Sequence, residues 1–304
     1  MRPFLFFLLC CLSLRSFGQD TADSIRTGDY KTEQVKFKSA GVILEGSIFI
    51  PKHTVAAVVL VHGSGQETRM NVFASLLAEN NIAVLTYDKR GVGKSGGIYA
   101  GPEVGTNNID TSNLDLLASD ASAATDALLT HLTTTRIPFG LLGFSQAAWV
   151  IPLAAVKNKK VKFITLFSGP VVTTLEQLRF QFYTNGNTNF WETHTEADAR
   201  EHISKDPDRY QFAPTDPREA LSFLSIPGLW LYGGKDIQAP VGLSIERIDA
   251  LKTAGKPYKY KLFPQLGHNT SSLNLKEPIN FAIQWIKSIK YRDVRTSHAG
   301  NNWD

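Results

Sequence analysis

The sequence has 304 residues, of which 43% are hydrophobic and 20% are charged, and its formal net charge is +4. This length fits one large α/β domain with an insertion, or two small domains. Because positive and negative side chains nearly balance, the composition predicts binding neither to nucleic acid nor to an anionic membrane surface.

The first 18 residues have the pattern of a cleaved secretory signal peptide, with Arg2 before the apolar stretch 4–12 and small residues at Ser16 and Gly18. The apolar stretch is shorter than the roughly 20 residues that a helix needs to cross a bilayer, so no stable membrane anchor is expected. We therefore predict an exported protein, periplasmic or secreted.

Both cysteines of the chain, Cys10 and Cys11, lie inside this segment. Neither follows the small residue that precedes a lipid-modified cysteine in a bacterial lipoprotein, so lipidation is not expected. Once the segment is removed, no thiol remains for a disulfide, a zinc cluster or nucleophilic catalysis.

The next part of the sequence predicts a sheet that begins with a hairpin. Residues 33–50 alternate apolar and polar side chains on both sides of Ala40-Gly41, which is typical of a β-hairpin. Apolar runs of strand length then follow at 55–61, 82–87, 139–144, 161–167, 227–233 and 258–264. Helical patterns such as 111–132 separate them, and this alternation predicts a mostly parallel sheet covered on both faces.

The alternation of strands and helices stops between Pro170 and Leu224, where the sequence becomes polar and aromatic. Three helix-start patterns occur in this part of the chain: Thr173-x-x-Glu176, Thr193-x-x-Glu196 and Asp216-Pro217-x-Glu219. We interpret residues 171–224 as a small helical lid inserted after the sixth strand. A pair of surface helices without a role in binding is the alternative.

The predicted organisation therefore has five parts. They are a signal peptide (1–18), the first part of an α/β core (19–170), the lid (171–224), the second part of the core (225–290) and a C-terminal tail (291–304).

The segment Gly143-Phe144-Ser145-Gln146-Ala147 lies between an apolar strand and a helix-compatible run. A nucleophilic serine needs such a sharp strand-to-helix turn, because its hydroxyl must project from the end of a rigid strand. Alanine stands at position 147, where the usual pattern G-x-S-x-G has its second glycine. One added methyl group is a small change, and alanine favours the following helix, so we predict that Ser145 still forms a working turn.

Two further strand ends carry candidate catalytic side chains. Asp236 follows one apolar strand in "LYGGKD", and His268 follows the next in "FPQLGHN". Parallel strands bring such loops to the carboxyl edge of the sheet, where ligands bind. His268 would take the proton of Ser145 and pass it to the leaving group, while Asp236 would fix the imidazole tautomer and stabilise the imidazolium.

An oxyanion hole is predicted from two backbone N–H groups. One belongs to Ser64 in "LVHGSGQ", after the turn at His62-Gly63, and the other to Gln146, which follows the nucleophile. Both would stabilise charge that develops only in the transition state. We expect the side chain of His62 to be structural.

These motifs make the chain resemble the α/β-hydrolases, in particular the large bacterial group related to serine aminopeptidases, lysophospholipases and dienelactone hydrolases. The resemblance covers nearly all of 33–290 and rests on the hairpin and on "VHGSG", "YDKRGVGKSGG", "GFSQAAW", "YGGKD" and "GH". It implies the α/β-hydrolase fold and hydrolysis without a metal or organic cofactor. It also implies that Asp88 and Arg90 are structural and tie loops together near the active-site base.

A metal site is a competing interpretation of one stretch. His194, Asp198 and His202 lie four residues apart on a predicted helix, which is the spacing that a metal site needs. The acidic and basic neighbours of these residues are typical of a solvated helix face, and our prediction is that the protein holds no metal.

The sequence thus predicts a serine hydrolase that cleaves a small-molecule carboxylic ester through an acyl-enzyme on Ser145. A peptidase or thioesterase of the same fold, or a non-catalytic relative that binds a ligand, are the alternatives. A peptidase of this group needs a lid carboxylate to hold a substrate amine, and Glu176, Glu192 and Glu196 are the candidates. The oligomeric state remains open.

The aromatic side chains of the predicted lid have two interpretations. They would contact an apolar acyl or aryl group, or they would form the core of the lid itself, which we expect for most of them. The residues are Phe180, Phe182, Tyr183, Phe190, Trp191 and Tyr210.

Overall fold

The computed structural model describes residues 29–134, 136–206 and 212–291. The predicted signal peptide, Tyr210 and almost all of the predicted tail lie outside these residues, so the predictions about them stay predictions.

Within the described ranges, eight strands form one sheet in the order β1-β2-β4-β3-β5-β6-β7-β8. The strands are β1 (Tyr30–Ser39), β2 (Val42–Pro51), β3 (Ala56–Val61), β4 (Ile82–Tyr87), β5 (Phe139–Phe144), β6 (Phe163–Phe167), β7 (Gly228–Gly233) and β8 (Tyr258–Phe263). Strands β3 to β8 pair in parallel, while β2 is antiparallel to both β1 and β4. This confirms the predicted mostly parallel sheet.

The helices of the described residues connect these strands and cover both faces of the sheet. They are α1 (Asn71–Glu79), α2 (Thr106–Ile109), α3 (Thr111–His131), α4 (Ala147–Lys157), α5 (Thr174–Thr184), α6 (Phe190–Thr193), α7 (Glu196–Lys205), α8 (Pro217–Phe223), α9 (Val241–Thr253) and α10 (Lys276–Ser288). None of them has the length and apolarity that a membrane span requires.

The predicted hairpin is present as β1 and β2, with Ser39 opposite Val42. Its turn is Ala40-Gly41, and both residues have positive φ, +41° and +84°. Two such residues match the right-handed twist of the flanking strands, which explains why the hairpin closes at this point.

The central strands are apolar throughout because both of their faces are buried. In β3, Val59 packs in the core cluster under α3 and α4, whereas Val58 and Leu60 pack in the cluster under α1 and α10. Successive side chains of a strand point to opposite faces, so a strand between two helix layers needs a continuous apolar run. The two layers bury both faces of the central strands.

Helices α5 to α8 lie between β6 and β7, where the sequence predicted an insertion. Thr173 and Glu176 form a capping box at the start of α5, and Asp216 caps α8. The predicted start at Thr193 is wrong: α7 begins with a capping box between Thr195 and Asp198. Thr193 cannot cap α7 because it is the last residue of α6, and a capping residue needs an extended backbone.

Candidate active site

Ser145 lies on a strained turn between β5 and α4. Its φ is +49°, in the left-handed region that residues other than glycine rarely adopt. Its backbone N–H donates to the carbonyl oxygen of Phe167 on the neighbouring strand at 3.0 Å, which holds the strained conformation in place. The turn therefore has the geometry of a nucleophile elbow, with the hydroxyl at the carboxyl edge of the sheet.

The structure shows how alanines fit where this turn usually has glycines. A Cβ atom added to Gly143 would lie 2.4 Å from the Cβ of Ala147, and one added to Gly169 would lie 3.0 Å from that of Ala148. Because Gly143 and Gly169 have no side chains, the methyl groups of Ala147 and Ala148 have room beside them. The elbow therefore forms with alanine at position 147, because Gly143, which packs against Ala147, has no side chain.

The structure brings Ser145, His268 and Asp236 together in one chain of hydrogen bonds. His268 Nε2 lies 3.0 Å from Ser145 Oγ, and His268 Nδ1 lies 2.8 Å from Asp236 Oδ2. The other carboxylate oxygen of Asp236 accepts backbone N–H bonds from Gln238 at 2.7 Å and Ala239 at 2.9 Å. Asp236 is 1% exposed, so its carboxylate is held in one orientation toward the imidazole.

The loop that carries His268 packs closely against the end of β7. A Cβ atom at Gly233 would lie 2.1 Å from the carbonyl oxygen of Gly267, so only glycine permits this approach. On the other side, Ser168 Oγ donates to the His268 carbonyl and lies 2.7 Å from Thr270 Oγ1. These contacts position His268 between the serine and the carboxylate.

The loop that carries Asp236 is held by the insertion. Trp191 Nε1 donates to the Asp236 carbonyl at 2.7 Å, and Thr184 Oγ1 donates to the Ile237 carbonyl at 2.7 Å. The side chain of Gln177 donates to the next carbonyl, that of Gln238. Side chains of α5 and α6 therefore bind three successive carbonyls, those of Asp236, Ile237 and Gln238, in the loop that we call the acid loop.

The two residues predicted to form an oxyanion hole both line a pocket beside Ser145. Among the described residues, the backbone N–H groups of Ser64 and Gln146 have no hydrogen-bond acceptor. Asn108 joins the two residues: its Nδ2 donates to the Ser64 carbonyl at 2.9 Å, and its Oδ1 accepts from Gln146 Nε2 at 2.7 Å. The arrangement leaves both N–H groups available to a developing oxyanion.

His62 is structural in its contacts, as the sequence analysis expected. Its Nε2 lies 2.6 Å from the Tyr87 carbonyl, and its ring packs edge-on against that of Tyr87 at 4.7 Å. Burial, together with the nearby Lys89 ammonium, lowers the pKa of His62 to about 3. A neutral, buried imidazole with these contacts fixes the strand end and takes no part in proton transfer.

The prediction that Asp88 and Arg90 tie loops together near the catalytic base is wrong about the place. Asp88 pairs with Arg69, Nη2 to Oδ2 at 2.8 Å, and Arg90 pairs with Asp120 on α3. In the sheet, β4 is separated from β7 by β3, β5 and β6. Arg90 also donates to the Ser39 carbonyl of the hairpin, and the described contacts of these two side chains do not reach the His268 loop.

The residues of the alternative metal site make aromatic and capping contacts instead. His194 stacks on Phe190 at 4.3 Å, His202 stacks on Tyr183 at 4.0 Å, and Asp198 belongs to the capping box of α7. Across the part of the chain that the structure describes, no three His, Cys, Asp or Glu side chains are grouped to hold a metal ion.

The aromatic residues of the insertion mostly form its own core. Phe180 and Phe190 are buried in a cluster with Ala199 and Ile203, against which Tyr183 and Trp191 pack. Phe182 is 53% exposed and does not line the pocket. The insertion contributes Gln177, Leu178 and Gln181, from one face of α5, to the lining of the pocket beside Ser145.

The pocket beside Ser145 is small, and its lining is part polar and part apolar. Its volume is about 20 Å³, and its lining combines Ser64, Glu103, Val104, Gly105, Ile109, Ser145, Gln146, Trp149, Gln177, Leu178 and Gln181. This space is close to that of one water molecule. A wider depression of about 470 Å³ between α1 and α10 includes Asn80, which precedes β4, so it lies at the opposite edge of the sheet.

The sequence analysis did not single out several polar residues of this site. Lys89 is 2% exposed, and its ammonium donates to the carbonyl oxygens of the loop after β3 and to the side chain of Gln146. Lys89 stands between Asp88 and Arg90 in "YDKRGVGKSGG", and a lysine placed directly after a buried strand is the signal that was available.

The fold and the site together define an α/β-hydrolase. Residues 52–218, just over half of the chain, match the family described as serine aminopeptidase, S33. The chain therefore belongs to this family and is a hydrolase of the α/β-hydrolase superfamily. The matched part includes Ser145, whereas Asp236 and His268 lie beyond it. Curated protein sequences give no significant match.

Solved structures show the same fold at low sequence identity. The acylaminoacyl peptidase of Pyrococcus horikoshii is 14% identical with a TM-score of 0.63, over 92% of this chain and 44% of that chain. An esterase of Pyrococcus furiosus is 17% identical with a TM-score of 0.60, over 85% of this chain and 92% of that one.

A dienelactone hydrolase of Anabaena variabilis is 19% identical with a TM-score of 0.56, over 87% of this chain and 100% of that one. At such identities the similarity shows the fold alone. The chain also spans less than half of the P. horikoshii peptidase.

Proposed function

We propose that this chain is a serine hydrolase that cleaves small carboxylic esters through an acyl-enzyme on Ser145. The observation that carries the proposal is the unbroken hydrogen-bond chain from Ser145 Oγ through His268 to the buried carboxylate of Asp236. It begins at a residue with a strained, left-handed backbone, which is the conformation that exposes a nucleophile at a strand end.

The first half-reaction uses all three side chains. Ser145 Oγ attacks the ester carbonyl carbon as its proton moves to His268 Nε2, and the carbonyl oxygen becomes an oxyanion that accepts from the N–H groups of Ser64 and Gln146. Asp236 stabilises the imidazolium through Nδ1. His268 then protonates the leaving alcohol as the carbon–oxygen bond breaks, which leaves an acyl group on Ser145.

Deacylation repeats these steps with water. His268 takes a proton from the water molecule, the resulting hydroxide adds to the acyl carbon, and the tetrahedral intermediate expels Ser145 Oγ, which regains the proton. The products of deacylation are a carboxylic acid and the free enzyme, and each step described uses only water and groups of the chain.

The dimensions of the pocket favour a short acyl group. With about 20 Å³ of space beside Ser145, a long acyl group extends out of the pocket or displaces part of its lining, to which α5 contributes Gln177, Leu178 and Gln181. The contacts of α5 with the acid loop, from Gln177 and Thr184, oppose such a movement. We expect acetate esters to be hydrolysed faster than hexanoate esters.

A second candidate function is the hydrolysis of a substrate that carries an ammonium group. Among the carboxylates considered in the sequence analysis, Glu176 is bound by Arg247 at 2.7 Å and Glu196 pairs with Arg200 at 3.2 Å. However, Glu103 from the loop after β4 lines the pocket together with Ser145. This position favours an amine-bearing ester or a peptide with a free amino terminus.

Labelling with a fluorophosphonate probe tests the proposal. We expect the wild type and the control Ser222→Ala, an exposed serine on α8, to be labelled equally, and Ser145→Ala to remain unlabelled. Rates on p-nitrophenyl acetate and on an amino-acid p-nitroanilide then separate the two candidates. A folded wild type without Ser145-dependent labelling would favour the non-catalytic, ligand-binding alternative.

A further inference from the structure

Lys89 has a fully buried ammonium group with three hydrogen-bond acceptors, all of which belong to the two loops beside Ser145. Its Nζ donates to the Gly63 carbonyl at 2.7 Å, to the Gly65 carbonyl at 3.3 Å and to Gln146 Oε1 at 3.1 Å. Burying an ammonium group is unfavourable unless every proton finds a partner. Here the partners are present, and they join the loop after β3 to Gln146, the two parts of the chain that would supply the oxyanion hole.

The contact with Gly63 determines the direction of one oxyanion donor. The Gly63 carbonyl and the Ser64 N–H belong to the same planar, trans peptide group, so they point in opposite directions. An ammonium that holds the carbonyl on one side therefore holds the N–H on the other side. Ser64 and Ser145 line the same pocket, and Lys89 is not among its lining residues.

The same contact also strengthens the donor. A cation at a carbonyl oxygen draws electron density toward that oxygen, and the delocalised peptide group transmits this polarisation to its own N–H. The N–H of Ser64 then carries more positive charge than that of an ordinary peptide. A hydrogen bond to a developing oxyanion gains most from this change, because the acceptor acquires a full negative charge.

The third proton of Lys89 fixes the residue that supplies the second donor. Gln146 is 1% exposed, and its side chain is bound at both ends, by Lys89 at Oε1 and by Asn108 at Nε2. Asn108 in turn holds the Ser64 carbonyl at 2.9 Å. Lys89 and Asn108 thus form a continuous set of bonds from one donor residue to the other.

We propose that Lys89 is a positioning residue of the oxyanion hole, which orients and polarises the Gly63–Ser64 peptide and locks Gln146 in place. The inference rests on the proposed function, because it concerns the transition state of that reaction. Lys89 touches no substrate and transfers no proton. Its effect falls on the stabilisation of the oxyanion and leaves ground-state binding unchanged.

Titration of Lys89 offers a test in the unmodified protein. Burial lowers the pKa of Lys89 to about 8, against the opposing charges of Glu67 and Glu103. The other groups that face it are the ring of Tyr99, 5.4 Å from Nζ, and His62. Burial raises the pKa of Tyr99 to about 12, and that of His62 is about 3, so neither ring titrates between pH 7 and 10.

Above pH 8 the ammonium becomes a neutral amine, which has two protons for three acceptors and no charge. We therefore expect kcat on p-nitrophenyl acetate to fall above about pH 8 in the wild type, with little change in KM. The substitution Lys89→Met, which keeps an unbranched side chain but removes the ammonium group, should remove this decline. The matched control is Lys94→Met, because Lys94 is an exposed lysine of the same turn.

At pH 7, Lys89→Met should lower kcat by about tenfold to a hundredfold, somewhat less than the loss of a whole oxyanion donor. The inhibition constant of a trifluoromethyl ketone, which forms a tetrahedral oxyanion on serine, should rise by the same factor. KM should change by less than about threefold, and Lys94→Met should match the wild type. A folded Lys89→Met variant with normal kcat, or with a loss confined to KM, would overturn the inference.

If Lys89→Met does not fold, the wild-type pH profile decides. A decline of kcat near pH 8 that is absent from the binding of a non-covalent substrate analogue supports the inference, and a flat kcat from pH 7 to 10 overturns it. Fluorophosphonate labelling separates this result from a failure of the proposed function. A wild type that is not labelled at Ser145 overturns both, whereas a labelled, active enzyme without the Lys89 effects overturns this inference alone.

Discussion

The indole nitrogen of Trp191 donates a hydrogen bond of 2.7 Å to the backbone carbonyl of Asp236, the residue whose carboxylate holds His268. Trp191 belongs to the insertion, and Asp236 belongs to the core. Together with Thr184 and Gln177, which bond the next two carbonyls, Trp191 makes the insertion part of the support of the proposed catalytic acid. A segment that moved freely as a lid would break these bonds at every opening.

This relationship predicts the result of Trp191→Phe. The phenyl ring keeps the packing against Phe180 and Phe190 but lacks the N–H, so the acid loop loses one hydrogen bond. Such a bond contributes about 0.5–1.5 kcal/mol, so kcat on p-nitrophenyl acetate should fall by roughly twofold to tenfold at unchanged KM.

Trp285→Phe on α10 is the matched control, because Trp285 contacts Phe163 on the other face of the sheet. Equal kcat values for the wild type and Trp191→Phe would mean that the acid loop holds its position without the insertion.

Asp236→Asn should lower turnover by about 10⁴-fold. The backbone N–H groups of Gln238 and Ala239 bind Oδ1, so they place the amide oxygen there and turn the amide nitrogen toward His268 Nδ1. That nitrogen donates, which favours the imidazole tautomer with its proton on Nε2, and this tautomer cannot accept the proton of Ser145.

Steady-state kinetics on an aryl acetate measure the effect of Asp236→Asn, and its unfolding midpoint shows whether the fold is retained. Asp249→Asn, a half-exposed change on α9, is the control. Near-normal turnover of Asp236→Asn would show that a different acid supports His268.

Widening the pocket should shift the preferred acyl length. Leu178→Ala and Gln181→Ala each remove side-chain atoms from the face of α5 that lines the pocket. We expect the ratio of hexanoate to acetate hydrolysis to rise by about tenfold or more, since contacts of this kind discriminate by about 1–3 kcal/mol.

Phe182→Ala on the same helix is the control for this experiment, because Phe182 is exposed and outside the lining. Because Leu178 is buried, its variant should also lose about 2–5 kcal/mol of stability, which must be measured in parallel. Identical chain-length profiles for all folded variants would exclude α5 from substrate selection.

The buried ion pair between Arg90 and Asp120 predicts a stability effect that does not involve the chemistry. Their side chains are 5% and 0% exposed. Asp120→Ala leaves a buried guanidinium without its carboxylate and should lower the free energy of unfolding by about 3–5 kcal/mol.

Glu201→Ala, which removes the partner of Lys205 in an exposed pair of α7, should change the free energy of unfolding by less than about 1 kcal/mol. Urea denaturation of both variants makes the comparison. A small effect of Asp120→Ala would indicate that water or another acceptor reaches Arg90.

The sequence analysis predicted what depends on local pattern. The strands were predictable because buried parallel strands need continuous apolar runs, and the hairpin because Ala40-Gly41 interrupts two alternating segments. That Ser145, Asp236 and His268 come together was predictable, because each follows a strand whose end lies at one edge of the sheet. The start of α7 was misplaced because Thr193 and Thr195 give nearly the same pattern.

The contacts between distant segments were not predictable from local pattern. Lys89 and Gln146 are separated by 57 residues, and Trp191 and Asp236 by 45. A buried lysine has the same letter as an exposed one, and only the folded chain shows which carbonyls it contacts. The predicted location of Asp88 and Arg90 was wrong because the order of the strands in the sheet differs from their order in the chain.

The space shared by Gly143 and Ala147 makes the effect of a substitution at one position depend on the residue at the other. Gly143→Ala would place two methyl carbons 2.4 Å apart, so it should block the elbow in this sequence. After Ala147→Gly the nearest atoms to the new methyl group are Ile151 Cδ1 at 2.7 Å and the Val61 carbonyl oxygen at 3.0 Å, so part of the harm should disappear. The order in which the two changes arise therefore decides whether a mutational path between the two forms of the elbow passes through an inactive protein.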